Sequence, residues 1–211
     1  MKTILHAARL TGLLALALLA YGCATTQPLS EENRGKIKAV KINDGVQKAP
    51  AMYYLGPGTS VLFAFGAVGG AAAAAASLEP GKALQDFAET NGIFVEKIVL
   101  QEIDTAFRDS RKLKVLGAAE ASDATMNIGV HFYGFSVPNG FSSSLVPVLA
   151  VRCEMVDAAG KVVWSATGDV QVLRNPAVPM TLFEIRDRPQ RIEEAWRRAA
   201  TQIARKIAYD F

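Results

Sequence analysis

The sequence predicts an α+β fold, a single domain in which a mixed, mostly antiparallel sheet is covered on one face by two main helices. Segments 125–137, 145–157 and 161–173 alternate apolar and polar residues and are separated by short turn sequences, as is typical of an antiparallel three-strand meander. Apolar residues recur at helical spacing in segments 93–110 and 189–208. The 211 residues are enough for one domain with a sizeable core.

The elements that precede the long helix are shorter. Segments 36–43 and 46–55 predict the first two strands, and the Gly-Pro-Gly sequence at 56–58 ends the second. A short helix is expected around 82–90, and a short strand at 112–116. These early strands alternate with helices along the chain and come before the meander. We therefore expect them to join the meander in one mixed sheet.

The helices and the meander each have one apolar side. In the first long helix Val95, Val99 and Ile103 lie on one stripe, and Ile192 and Trp196 begin the stripe of the last helix. In the first meander strand the predicted apolar face holds Met126, Ile128, Val130 and Phe132, and the opposite face holds Asn127, Gly129, His131 and Tyr133. This alternation predicts helices on one face of the sheet and a partly wet second face.

The N-terminal end has the order of a secretory signal peptide. Lys2 and Arg9 supply positive charge, residues 10–20 form an apolar run, and small residues precede Cys23. The run is shorter than the roughly 20 apolar residues that span a bilayer. We therefore expect a signal peptide at 1–22 rather than a membrane-spanning anchor.

The end of this leader, LAYGC at 19–23, resembles the lipobox of bacterial lipoproteins. In that family the signal is cut before the cysteine, which then receives two or three acyl chains. The resemblance implies cleavage between Gly22 and Cys23 and firm attachment to a membrane, since each buried methylene contributes about 0.8 kcal/mol. Ala24 stands where the family's inner-membrane retention signal places Asp, which implies transfer to the outer membrane. The alternative is an ordinary secretory signal followed by a chance cysteine.

The residues after Cys23 predict a tether. Segment 24–35 is polar and lacks periodicity, so we interpret 23–35 as a lipidated N-terminus with a flexible tether. Twelve extended residues would reach roughly 40 Å. The α+β domain at 36–211 is then expected on the periplasmic side of the outer membrane, clear of the bilayer.

Segment 61–76 carries no polar side chain in its 16 residues and ends in six consecutive alanines. It is too short and too weakly hydrophobic to predict a membrane-spanning helix. Gly66 and Gly70 have the G-x-x-x-G spacing that lets helices approach closely in membranes. Packing on the domain is one interpretation of this insert, and membrane contact or self-association is the other.

The sequence offers no catalytic constellation, metal site or cofactor motif. Beyond the leader His131 is the one histidine, which excludes zinc motifs that need two and weakens any histidine-dependent triad. Without Lys2 and Arg9 the chain has 21 basic and 20 acidic residues, a charge of +1, and so no electrostatic reason to bind nucleic acid. Cys153 alternates in register with apolar neighbours and is interpreted as a buried small hydrophobe.

These observations favour a non-catalytic, membrane-anchored accessory of envelope assembly or export, which binds an envelope protein or a second copy of itself. The order of elements over 93–208 resembles the curli-secretion channel lipoprotein and the lipoproteins that activate penicillin-binding proteins. Two alternatives stay open. A small-ligand or lipid-binding module would use a groove beside His131 and Tyr133. A hydrolase would use dispersed carboxylates that meet in space, for which the candidates are Asp109, Glu120, Asp123 and Asp157.

Overall fold

The computed structural model describes residues 26–56, 79–117, 120–139, 142–172 and 177–211. The leader, the lipobox with Gly22 and Cys23, and the insert 61–76 with Gly66 and Gly70 lie outside the described residues, so their predicted roles stay predictions. The helices are α1 (Glu31–Lys36), α2 (Pro80–Thr90), α3 (Val95–Ser110), α4 (Leu182–Asp187) and α5 (Gln190–Asp210). The strands are β1 (Ala39–Ile42), β2 (Gln47–Lys48), β3 (Tyr53–Leu55), β4 (Lys114–Leu116), β5 (Ala124–Ser136), β6 (Ser144–Asp157), β7 (Val162–Val170) and β8 (Met180–Thr181).

The predicted α+β fold and its meander are confirmed. Strands β5, β6 and β7 pair antiparallel in sequence order, with a turn at Gly160 between the last two. The main path of the sheet runs β4-β1-β5-β6-β7, and β1 is parallel to both of its neighbours. The result is a mixed sheet whose long strands are antiparallel.

The predicted second strand is two short strands. Residues 46–55 form β2 and β3, which follow β1 along the same side of β5, each parallel to it. Their registers run from Gln47 opposite Gly129 to Tyr53 opposite Gly134. Ala49 still donates to the carbonyl of Val130, but residues 50–52 are not paired with β5, so this side of β5 is covered by three short pieces of chain instead of one strand.

Helices α3 and α5 pack side by side on one face of the sheet, here called the inner face. Trp196 of α5 contacts two β5 rings, Tyr133 at 5.9 Å and Phe135 at 5.5 Å between ring centroids. At the other end of α5, the Phe211 ring contacts Trp164 of β7 and Phe107 of α3. These aromatic contacts join both helices to the sheet and confirm the predicted one-sided helical layer.

Residues 27–35 are folded onto the domain, which makes the prediction of a tether over 24–35 wrong for that part. The backbone of Gln27 exchanges two 2.9 Å hydrogen bonds with Ser165 of β7, and Leu29 is buried. Helix α1 follows, with the Ser30 hydroxyl accepting from the amide of Asn33. The N-cap hydrogen bond stabilises α1, and the buried Leu29 packs this otherwise polar segment against the domain.

The stretch before the last helix is also ordered. Thr181 and Glu184 form a capping box, in which each side chain accepts from the other residue's backbone amide, and α4 begins there. Leu182 and Ile185 anchor this helix in the core. Within the described ranges, no helix is long and apolar enough to cross a membrane.

Candidate functional site

The face of the sheet opposite α3 and α5, here called the open face, carries the candidate site. A β-bulge in β5 determines which side chains lie on this face. Val130 pairs with Val151 and Phe132 with Ala150, which leaves His131 as the extra residue. Alternation therefore shifts by one position, and the consecutive residues His131 and Phe132 are both exposed.

Before the bulge, the open face forms a polar groove. Its volume is about 440 Å³, and its polar side chains are Asn43, Gln47, Asn127, His131, Arg152 and Glu154. The Asn43 amide donates to Asn127 Oδ1 at 3.1 Å, and Arg152 pairs with Glu154 at 2.7 Å. The buried Nε of Arg152 has no acceptor among the described residues. The groove thus presents hydrogen-bond donors and acceptors to solvent from the strands of the sheet.

Gly129 makes room for the histidine in this groove. A Cβ atom at Gly129 would lie 3.2 Å from Nε2 of His131, tighter than an ordinary contact. The imidazole therefore folds back over Gly129, a position of β5 without a side chain.

The structure does not bring His131 and Tyr133 together, so the predicted shared groove is wrong. His131 lies in the polar groove, whereas Tyr133 is 1% exposed on the inner face, against Trp196. The bulge is the physical reason, because one extra residue moves every later side chain of β5 to the opposite face. Phe132, which the alternation places inside, is 40% exposed for the same reason.

After the bulge, the open face becomes apolar. We call the cluster of Tyr53, Leu55, Phe132, Val148 and Val172 the apolar corner; these residues line a groove of about 420 Å³. Tyr53 and Phe132 contact each other at 4.7 Å between ring centroids. Leu55 is 53% exposed and Tyr53 36%. Clustered exposed aromatic and aliphatic side chains are typical of an interaction surface.

A glycine in β5 allows the corner to form. Gly134 has a φ of 151°, and a Cβ atom there would overlap the backbone carbonyl of Tyr53. Strand β3 therefore approaches β5 closely only because residue 134 is glycine. That approach places Tyr53 beside Phe132.

A half-buried charged cluster joins β2 to the helices. Lys48 Nζ lies 3.0 Å from Glu89 of α2 and 3.3 Å from Glu96 of α3. The hydrogen bond from Lys48 is the main cause of a lowered pKa at Glu89. Burial lowers the pKa of Lys48, but Glu89 and Glu96 outweigh it and leave that pKa above its usual value. A lysine held protonated in this way is a structural ion-pair partner and a poor general base.

The four candidate carboxylates of a hydrolase do not meet. Asp123 accepts from the amides of Lys38 and Ala39, and these bonds lower its pKa. Asp157 accepts from backbone amides of the β6–β7 turn, and Glu120 from that of Gly117. Asp109 lines a separate groove between α3 and α5. Three of the four thus accept hydrogen bonds from backbone amides, each at a different place in the fold.

Cys153 and potential metal ligands are the other groups that could carry chemistry. Cys153 is fully buried on β6, and burial raises the pKa of its thiol to about 12, which leaves it unreactive. This confirms its interpretation as a small core residue. No group of three or more His, Cys, Asp or Glu side chains that could hold a metal ion occurs in the described part of the chain.

Two features of the site escape sequence reasoning. The bulge has no distinctive sequence, because His131 and Phe132 fit the alternation of an unbroken strand equally well. The partners of Lys48 lie 41 and 48 residues away, so only the fold brings them together. The glycines at 129 and 134 were the available signal, since glycine inside a strand indicates a bulge or a close approach.

The geometry defines a class of protein: a small α+β domain with one helix-covered sheet face and one open face. No protein-family model matches the chain, and no curated protein matches it. Among solved structures, a DUF330 protein from Xanthomonas campestris is 14% identical, with a TM-score of 0.43 over 86% of this chain and 84% of that one. The PelC dodecamer of Paraburkholderia phytofirmans is 14% identical, with a TM-score of 0.40 over 89% and 95%. Lipoprotein GNA1162 of Neisseria meningitidis is 13% identical, with a TM-score of 0.26 over 63% and 81%.

Proposed function

We propose that this chain is a non-catalytic lipoprotein, anchored in the outer membrane by acyl chains on Cys23, that binds an envelope protein on the open face of its sheet. The observation that carries the proposal is the asymmetry of the sheet. Two helices bury the inner face, while the open face keeps exposed aromatic side chains next to a polar groove. An accessory of envelope assembly or export needs such a surface and no reactive centre.

The polar groove is the part of this face best suited to a protein partner. It offers the Asn43 and Asn127 amides, the exposed His131 ring and the Arg152–Glu154 pair. Hydrogen-bonding groups of this kind give specificity when a partner excludes water around them.

Site-specific photo-crosslinking in intact cells tests the proposal. A photoreactive amino acid replaces His131 in the groove, and a control places it at Arg198, an exposed residue on the helical layer. We expect a discrete adduct from position 131 and none from position 198, with the partner identified by mass spectrometry. An adduct of twice the chain's mass would identify a second copy as the partner.

Two results would contradict the docking proposal. One is the absence of any adduct at position 131 while the protein is folded and membrane-bound. The other is an equal spread of adducts from positions 131 and 198, which would indicate random encounters. The small-ligand alternative predicts instead that the groove protects His131 from chemical modification only when a low-molecular-weight envelope extract is added.

A further inference from the structure

The described N-terminal segment limits where an anchor on Cys23 can lie. Gln27 pairs antiparallel with Ser165, and its side-chain amide donates to the carbonyl of Val162. Residues after Gln27 therefore run toward the start of β7. Because the pairing is antiparallel, the chain enters it at Thr26 from the side on which β7 ends.

The distance to Cys23 is short. Three residues lie between Cys23 and Gln27, and the four extended Cα–Cα steps that join them span at most about 14 Å. Along β7, four residues lead from Ser165 to Asp169, which is also about 14 Å at about 3.4 Å per residue. An anchor on Cys23 would therefore lie within about 14 Å of Gln27 at the edge of the sheet, and this reach includes the end of β7.

The apolar corner lies at the same end of the sheet. Asp169, Val170 and Val172 line its groove together with Tyr53, Leu55 and Phe132. Among the described residues that line this groove, Asp169 is the one with a charged side chain, and it is exposed. The short reach from Gln27 to Cys23 and the exposed apolar surface are independent observations, and the reach includes this end of the sheet.

The ends of the apolar insert lie beside β3 as well. The described chain stops at Gly56, directly after Leu55, and resumes at Glu79. Gly81 in the first turn of α2 touches the backbone of Met52, just before β3, so the chain returns close to where it left. The residues between include 61–76, which has no polar side chain.

We infer that the apolar corner rests on the lipid surface of the membrane that holds the anchor. Tyrosine rings and aliphatic side chains at a domain's edge suit the boundary between headgroups and acyl chains. This inference rests on the proposed lipidation of Cys23. It deepens the proposed function, because it assigns the apolar end of the open face to lipid and leaves the polar groove to a protein partner.

Fluorescence quenching in vesicles tests the inference. The full lipidated protein is reconstituted alone into phosphatidylethanolamine–phosphatidylglycerol vesicles, with an environment-sensitive dye on a cysteine introduced as Tyr53→Cys. The matched control is Tyr209→Cys, since Tyr209 is 82% exposed at the C-terminal end of α5, on the helical layer. We expect spin-labelled lipid to quench the dye at 53 and aqueous iodide to quench the dye at 209.

The outcomes separate this inference from the function on which it rests. If the protein is lipidated and bound but iodide reaches the dye at 53 as freely as the dye at 209, the corner does not face lipid and the inference fails. A corner that binds a protein instead would give that same result in vesicles without a partner. If the purified protein carries no lipid, the proposed anchoring is wrong, and the inference that rests on it is wrong as well. A dye on Leu55→Cys, a second exposed position of the corner, should be quenched by the same reagent as the dye at 53.

Discussion

At the scale of single residues, the charged cluster around Lys48 makes the most specific prediction about stability. Lys48 contacts Glu89 and Glu96 from a half-buried position, and Gln85 donates to Glu89 at 3.0 Å. The same Gln85 accepts from the amide of Met52 at 3.1 Å, so the network reaches the residue before β3. Breaking it leaves two carboxylates without their cation.

We expect Lys48→Met to lower the free energy of unfolding at neutral pH by about 1–2 kcal/mol, between the values for exposed and buried ion pairs. The pKa of Glu89 is lowered in the folded state, so its contribution is present above its unfolded pKa and is lost as pH falls through the folded value. The difference between variant and wild type should therefore shrink in acid. Urea unfolding at neutral and acidic pH measures both effects.

The exposed pair Lys36–Glu32 provides the control, because both side chains are largely in water. Lys36→Met should change the unfolding midpoint little at either pH. An equal loss in the two variants would mean that burial of the Lys48 cluster adds nothing. A loss at Lys48 that persists unchanged in acid would show that packing, rather than charge, holds β2 to the helices.

At the scale of elements, the contact of β3 with β5 depends on Gly134. Because residue 134 combines a positive φ with a backbone neighbour where Cβ would stand, Gly134→Ala should destabilise the domain by at least about 2 kcal/mol. It should also separate Tyr53 from Phe132 and disrupt the apolar corner. Thermal unfolding reports the first effect, and binding of a hydrophobic dye reports the second.

Gly35→Ala is the matched substitution. Gly35 lies in α1 with no atom near its missing side chain, so alanine should be neutral or stabilise the helix by roughly 0.5–1 kcal/mol. If both variants are equally stable, β3 does not need the close approach that the structure shows. If only Gly134→Ala loses stability, the approach is confirmed as a requirement of the fold.

Elements of different length differ in how well the sequence predicts them. The meander strands and helices α3 and α5 repeat their apolar pattern often enough to be recognised. Strands β2 and β3 have only two and three residues, too few for a period, and their order depends on pairing with β5. Helix α4 had a usable signal in Thr181 and Glu184, whose spacing is that of a capping box.

The candidate site illustrates the same limit more sharply. Alternation correctly predicts that one face of the sheet is covered and the other open, and it places Asn127 and His131 on the open face. It fails from Phe132 onward, because one bulged residue reverses the rest of the strand. The polar groove was therefore predictable in part, and the apolar corner was not.

At the scale of the whole molecule, the folded N-terminal segment changes how the domain would meet the membrane of the proposed anchor. A tether of 24–35 would let the domain stand away from the lipid. With Gln27 bound to β7, only residues 24–26 separate the domain from the proposed anchor. Three residues reach about 10 Å. Under the two proposals, the molecule has an apolar corner that rests on lipid, a polar groove for a protein partner and a helical layer that stabilises both.

This account depends most on the modification of Cys23, and mass spectrometry of the protein purified from the envelope tests it directly. We predict that the wild type lacks residues 1–22 and carries acyl chains on Cys23. A Cys23→Ser variant should carry none and leave the membrane fraction. A wild-type protein with a free thiol at Cys23 or an intact leader would contradict the account, as would a Cys23→Ser variant that stays firmly membrane-bound.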